Sequence, residues 1–355
     1  MIKSKTYIAV PPGTTIKEQL TDRGMSQKEF AARMDMSEKH ICHLINGETA
    51  LTQDVANRLE MVLGLPARFW NNLEVVYRET LLKIEKENQI ENDIKILHDY
   101  PYNEMAKYGW VSKTANKYER VCNFRKFFEI SNLDLLAKSF CQNIVCRKLG
   151  NTEKSDNALL VWAQKAKLES RNIETKPINI SKLLKILPDI KQMTLRKHFD
   201  FGDMLQDKLA DCGIAIVFLP HIGGSFLHGA TFYNANKIVI GMTIRSKDAD
   251  RFWFSLFHEF GHIILGHINN AEGVSCEDEL KADEFARESL ISKSDFDSFV
   301  SNNAITKANI LKFSKALGIS SGIIVGRLQK ERFLQFNRFN DLKNQYELIT
   351  QPYVS

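Results

Sequence analysis

SQKEFAARMDMSEKHICHLING, residues 26–47, is the stretch on which the reading of the fold turns. Ser26-Gln27-Lys28-Glu29 has the pattern of a capping box, in which a hydroxyl caps the first turn and a glutamate three residues on bonds back. It precedes the apolar stripe Phe30, Ala31, Met34, so one helix starts there. After a short turn around Asp35-Met36, Ser37 caps a second helix whose Ile41, Leu44 and Ile45 face inward and which stops at Gly47. Two short helices across a tight turn make a helix-turn-helix. In such a unit the second helix enters the major groove. Ser37, Glu38, Lys39, His40 and, one turn on, His43 are therefore the residues expected near base edges, with Gln27 placed for a phosphate.

Outward from this unit, residues 1–80 read as five short helices, and residues 81–200 as charged helical segments separated by Pro101, Gly109, Gly150, Pro177 and Pro188. The run LLKIEKENQIENDIKIL (81–97) alternates charges with Leu and Ile at helical spacing, which fits a hinge, a long connecting helix or an ordinary amphipathic helix. From Gly213 come short β-rich runs, GIAIVFLP, GATFY and KIVIG, and after Asp248 the helical period returns. The expected fold is mainly α with an α+β rear part, in three regions: 1–80, a helical connection over 81–200, and 201–355 with a small sheet packed on the helix that follows it.

The length of 355 residues admits two or three domains, and 44% hydrophobic against 26% charged residues is globular composition. Net charge is +5, and the first 80 residues hold 10 basic and 10 acidic side chains, so any DNA contact there must be local. The basic excess, 22 against 15, lies in residues 81–200. Cys42, Cys122, Cys141, Cys146, Cys212 and Cys276 form no C-x-x-C pair, which argues against a disulfide framework. No apolar run is long enough for a membrane span and the start has no signal-peptide core, so a cytoplasmic protein with no membrane partner is expected.

Residues 11–81, from PPGTTIKEQL through the helix-turn-helix to Phe69-Trp70-Asn71-Asn72-Leu73 after the fifth helix, resemble the HigA antidote branch of the lambda-repressor-like domains. The resemblance implies a five-helix domain that binds double-stranded operator DNA as a homodimer, and in many members a toxin partner. The roughly 275 further residues depart from a stand-alone antidote.

The rear half carries Phe257-His258-Glu259-Phe260-Gly261-His262, an H-E-x-x-H inside the apolar run FWFSLFHEFGHIILGH. Histidines four apart share one helix face, so both imidazoles can hold one Zn²⁺ while Glu259 polarises water. His267 lies five residues after His262 and turns off that face, which suits a helix-terminal or supporting role better than ligation. In CEDELKADEFARESLI (276–291) the apolar stripe Ala282, Ala286, Leu290 extends back one turn to Glu279. A carboxylate at the head of an apolar stripe needs compensating charge, so Glu279 is the expected third ligand. Asp283, one turn on, is placed to hold the second nitrogen of a ligand histidine.

Most of residues 100–345 resemble the ImmA/IrrE metallopeptidases, through the runs just quoted, the E-x-x-A-D-x-F-A at 279–286 and GISSGIIVGRLQKE at 318–331. The resemblance implies a zincin-like part, zinc on His258, His262 and Glu279, and Glu259 as the catalytic glutamate. Asp283 stands where the family often has Asn, and Ile291-Ser292 replace its usual Met-Pro. Glu259 is expected to take a proton from water and return it to the leaving amine, with GATFY as an edge strand for extended substrate and His228 or Tyr233 stabilising the oxyanion. Family members cut repressor-type proteins in stress, defence or mobile-element circuits, some in answer to single-stranded DNA. Cleavage of this chain itself near residues 80–100, or of a partner, is the corresponding expectation. Trp110, Phe124, Phe127 and Phe128 among the cations of the middle segment form a possible sensing surface for single-stranded DNA. A reading of a different class is an antitoxin-like repressor whose rear part binds partners without cutting them.

Overall fold

The structure, a computed structural model, describes residues 2–139, 153–196, 200–223, 229–243, 248–269, 274–302 and 304–346. By backbone contacts the chain divides into Met1–Lys95 and Ile96–Ser355.

The front unit opens with a two-residue antiparallel ribbon, β1 (Ile2–Lys3) and β2 (Ile8–Ala9), followed by α1 (Pro12–Asp22), α2 (Gln27–Arg33), α3 (Glu38–Ile45), α4 (Gln53–Leu63) and α5 (Ala67–Leu97). The ribbon was not foreseen from the sequence. Ser26, Ser37 and Thr52 cap α2, α3 and α4 by accepting the backbone N–H of Glu29, His40 and Val55. The expected capping box at Ser26 is only half formed, because the Glu29 carboxylate turns to Arg33 one helical turn on, at 2.6 Å. Ile16, Phe30, Ile41, Leu44, Leu59 and Trp70 fill the core of this unit. Gly13 is required where α1 meets the end of α3: a Cβ there would stand 2.0 Å from the carbonyl oxygen of Ile45.

Two sequence expectations change here. The fifth helix is not short: it runs 31 residues, straight through the boundary placed at residue 80. The segment 81–97 continues it because Tyr77, Leu81 and Ile84 pack with Ala9 of β2 and keep the helical stripe anchored. Phe69–Leu73 accordingly stands in the first turns of α5 rather than after it, with Trp70 fully buried.

The rear unit begins with α6 (Tyr102–Lys107), α7 (Lys117–Phe128), α8 (Asp134–Ser139), α9 (Glu153–Ser170), α10 (Ile180–Gln192) and α11 (Gly202–Ala210). Pro188, expected to separate segments, sits inside α10, which buries Leu183 and Ile190 on either side of it. Then come β3 (Ile214–Leu219), β4 (Gly229–Asn234) and β5 (Lys237–Thr243), in the order β3-β5-β4, with β3 parallel and β4 antiparallel to β5. β4 thus takes an outer position.

After the sheet run α12 (Ala249–Ile264), α13 (Cys276–Leu290), α14 (Lys293–Asn302), α15 (Lys307–Leu317) and α16 (Ser321–Lys330). Ile214, Ile216, Ile238, Ile240 and Met242 of the sheet share one core with Trp253, Phe257 and Phe260 of α12 and with Ile324 and Leu328 of α16. α12 is buried nearly all round, as its continuous apolar run requires. Among the described residues no single helix is long and apolar enough to cross a membrane.

Candidate functional site

The first candidate site is the surface of α3. Glu38 and Lys39 are exposed in its first turn, His40 is half-buried behind them, and Gln27 is exposed at the start of α2. Ser37 is occupied: its hydroxyl accepts the N–H of His40, so it holds the helix start that presents its neighbours. His43 is partly exposed and pairs through Nδ1 with Glu48. Among the described contacts of α3 the apolar residues Ile41, Leu44 and Ile45 all point into the core, which leaves the polar side outward. That is the geometry by which a recognition helix reaches a groove.

The second is the junction of α12 and α13. Gly261 lets the helices approach closely: a Cβ there would lie 3.0 Å from Cα of Ala282. This approach sets Glu279 against the two histidines. Nε2 of His258 and Nε2 of His262 are 3.0 Å apart, and the carboxylate oxygens of Glu279 lie 3.4 and 3.5 Å from them. All three donor groups can place an atom within 4.8 Å of one another. Ligand atoms around a tetrahedral ion with bonds of about 2.05 Å stand about 3.3 Å apart, so these spacings suit one small cation.

The outer nitrogens define what the inner ones present. Nδ1 of His258 donates to Oδ1 of Asp283 at 2.9 Å, which turns its Nε2 toward the cluster. Nδ1 of His262 lies 3.1 Å from Nδ1 of His267, whose Nε2 faces Asp278 at 3.5 Å. That series orients His262 in the same sense. Two ring nitrogens and a carboxylate then converge on one point inside the protein, where a proton or a cation can supply the positive charge. Burial opposes a charged His258, but hydrogen bonds to Asp283 and Glu279 and the charge of Glu259 outweigh it and push its pKa up to about 9. Burial and the neighbouring His258 charge pull His262 down to about 4.

The Glu259 carboxylate is held from the sheet side. Its Oε2 accepts a short hydrogen bond from the Thr231 hydroxyl on β4, and a Cβ at Gly229 would meet its Oε1 at 2.6 Å. Gly229, Thr231 and Tyr233 alternate onto one face of β4, and Tyr233 is exposed at its far end. His228 lies outside the described residues.

Several partners escaped sequence reasoning. Thr231 and Gly229 are 28 and 30 residues from Glu259, and no local pattern links them. Asp278 had a visible signal, since Ser275 and Asp278 form a complete capping box at the start of α13, but its reach to His267 depends on the helix crossing. The proposed aromatic sensing surface needs correction: Phe124, Phe127 and Phe128 of α7 are buried core and cannot stack on bases, while Trp110 is half-buried.

Comparison with known proteins matches a helix-turn-helix family model to residues 16–70. Over 63 residues the chain is 35% identical to YddM of Escherichia coli (strain K12), described as an uncharacterized HTH-type transcriptional regulator, covering 18% of this chain and 67% of that protein. Among solved structures, an addiction module antidote protein of the HigA family from Coxiella burnetii has 26% sequence identity and a TM-score of 0.22, over 24% of this chain and 94% of its own. With its exposed α3 presented by residues 16–70, the chain belongs to the helix-turn-helix family of DNA-binding transcriptional regulators.

Proposed function

We propose that this regulator also carries a zinc-dependent endopeptidase in its rear unit and that it cuts a repressor-type protein, itself or a partner, in a stress, defence or mobile-element circuit. The observation that carries the reading is the convergence of His258, His262 and Glu279 on one point, with the Glu259 carboxylate fixed beside it by Thr231. His258, His262 and Glu279 would hold the zinc, which when bound supplies Lewis acidity toward a carbonyl and water.

Asp283 and His267 keep both imidazoles turned with Nε2 inward. Glu259 is a buried carboxylate positioned by Thr231, and as the general base it would take a proton from water and pass it to the leaving amine. β4, as the outer strand, can pair with an extended peptide, and Tyr233 at its exposed end, or His228, would stabilise an oxyanion. Residues 80–97 are helical, and a helix cannot pair with a strand edge. Self-cleavage in that stretch therefore requires α5 to unwind there.

On DNA, a homodimer presenting two copies of α3 would read two half-sites of an operator, with Lys39, Glu38 and His40 nearest the bases and Gln27 on a phosphate. The deciding experiment is elemental analysis of the purified full chain with a time course of its integrity, for wild type and Glu259→Gln, with and without operator and single-stranded DNA. Stoichiometric zinc with fragments from wild type alone supports the reading. Absence of zinc overturns it, and zinc without cleavage of this chain or of a co-purified repressor in any condition favours the antitoxin-like repressor whose rear unit only binds.

A further inference from the structure

The turn that ends α3 returns the chain to the helix it closes. Gly47 takes the left-handed conformation, with φ 74°, and its N–H donates to the carbonyl of Leu44 at 3.1 Å. A residue with a side chain does not fit there, since a Cβ would stand 2.7 Å from Cβ of Pro11 and from the hydroxyl of Tyr77. The reversal brings Glu48 back over His43. Its N–H donates to the carbonyl of His43 at 2.9 Å, and its carboxylate accepts a hydrogen bond from Nδ1 of the same residue. Glu48 therefore grips His43 by both main chain and ring.

His43 points away from the core. At about 3.6 residues per turn, Lys39, His43 and Asn46 make the stripe opposite the buried Ile41, Leu44 and Ile45, with Glu38 and His40 on its flanks. The His43 side chain is 41% exposed, and its Nε2 has no partner among the described residues. An exposed imidazole rotates broadly about its ring torsion and would present either edge. Anchoring Nδ1 removes that freedom before any ligand arrives. An exposed pair of this kind adds little to folding stability, whereas a fixed ring edge bears directly on what the helix can recognise.

From this geometry we infer that His43 reads one base pair through Nε2, and that Glu48 is the positioning residue that fixes the ring edge without touching a base. The inference rests on α3 acting as the recognition helix and goes beyond it by naming a reader one turn from the helix start and the residue that aims it. Nε2 offers a single hydrogen-bonding position. As a donor it matches N7 or O6 of guanine, and as an acceptor the exocyclic amine of adenine or cytosine, all in the major groove. The Glu48 carboxylate repels the phosphates of every sequence alike, so its signature lies in discrimination between base pairs and not in affinity.

The test selects duplexes from a randomised double-stranded DNA pool with the full chain. Affinities for the selected duplex and for each of its single-base-pair substitutions are then measured by fluorescence anisotropy. Wild type is compared with His43→Ala, Glu48→Ala, Glu48→Gln and the double variant His43→Ala/Glu48→Ala, and thermal unfolding confirms that each is folded. In wild type the base pair read by His43 is preferred by about tenfold over its alternatives. His43→Ala should lose the preference at that position alone, and Glu48→Ala should lose it at the same position. Glu48→Gln, whose amide oxygen can still accept from Nδ1, should restore it, and the double variant should discriminate no worse than His43→Ala. Wild-type discrimination at every position in His43→Ala overturns the reading role. Wild-type discrimination in Glu48→Ala, or no recovery in Glu48→Gln, overturns the positioning role. A wild type that enriches no duplex removes the recognition helix itself, a failure seen before any variant is measured.

Discussion

The two candidate sites place their polar residues in opposite surroundings. On α3 the side chains that would meet DNA are exposed, and the helix needs only a buried Ile41, Leu44 and Ile45 beneath it. At the α12–α13 junction His258, Glu259, His262 and Asp283 are all buried. Exposed polar residues cost the fold little and can be exchanged freely; buried ones must be balanced by partners that the rest of the structure supplies. The difference teaches where each site is vulnerable. The front is sensitive in its scaffold, the rear in the site itself.

The largest expected effect is at the rear. On the proposed zinc reading, His262→Ala removes one of two converging nitrogens and should abolish zinc binding in elemental analysis while operator binding in a gel-shift assay stays at the wild-type level. Loss of both together would break the contrast, since it would make the front depend on the rear.

Gly229→Ala comes next. Its methyl would press on the Glu259 carboxylate rather than on His258, His262 or Glu279, so on the proposed peptidase reading zinc content should persist while cleavage falls by about 100-fold or more, the contribution of a positioned general base. Equal losses of zinc and activity would show that the strand supports the whole cluster.

In the front unit, Gly13→Ala places a methyl against the Ile45 carbonyl, with backbone on both sides and no flexible side chain to yield. Overpacking of this kind costs about 1–3 kcal/mol, which should appear as a lowered denaturant midpoint of the front transition and weaker operator binding through unfolding. Lys39→Ala should have the smallest effect: no measurable change in stability, with operator affinity reduced and the slope of log affinity against log salt shallower by about 1 if the lysine neutralises a phosphate. An unchanged slope with altered sequence preference would move Lys39 from the backbone to a base edge.

Legibility followed the same division. The short helices of the front could be read because Ser26, Ser37 and Gly47 are local signals acting within a few residues. The long α5 could not, because its continuation past residue 80 is secured by Tyr77 and Ile84 packing with Ala9, 68 and 75 residues earlier in the chain. The half-formed capping box shows the limit of even a local pattern: Glu29 had two hydrogen-bonding options, and Arg33 took it.

Residue spacing by itself determined that His258 and His262 share a helix face and that Glu279 heads the buried stripe of the next helix, since both follow from the helical period. It equally determined which side of α3 is polar. Only the tertiary structure decided how these pieces meet. Gly261 had to face Ala282 before Glu279 could stand beside the imidazoles, and β4 had to lie along α12 before Thr231 could hold Glu259. Periodicity is set by backbone geometry within one element, whereas convergence depends on the packing of side chains whose separation along the chain carries no signal of their contact.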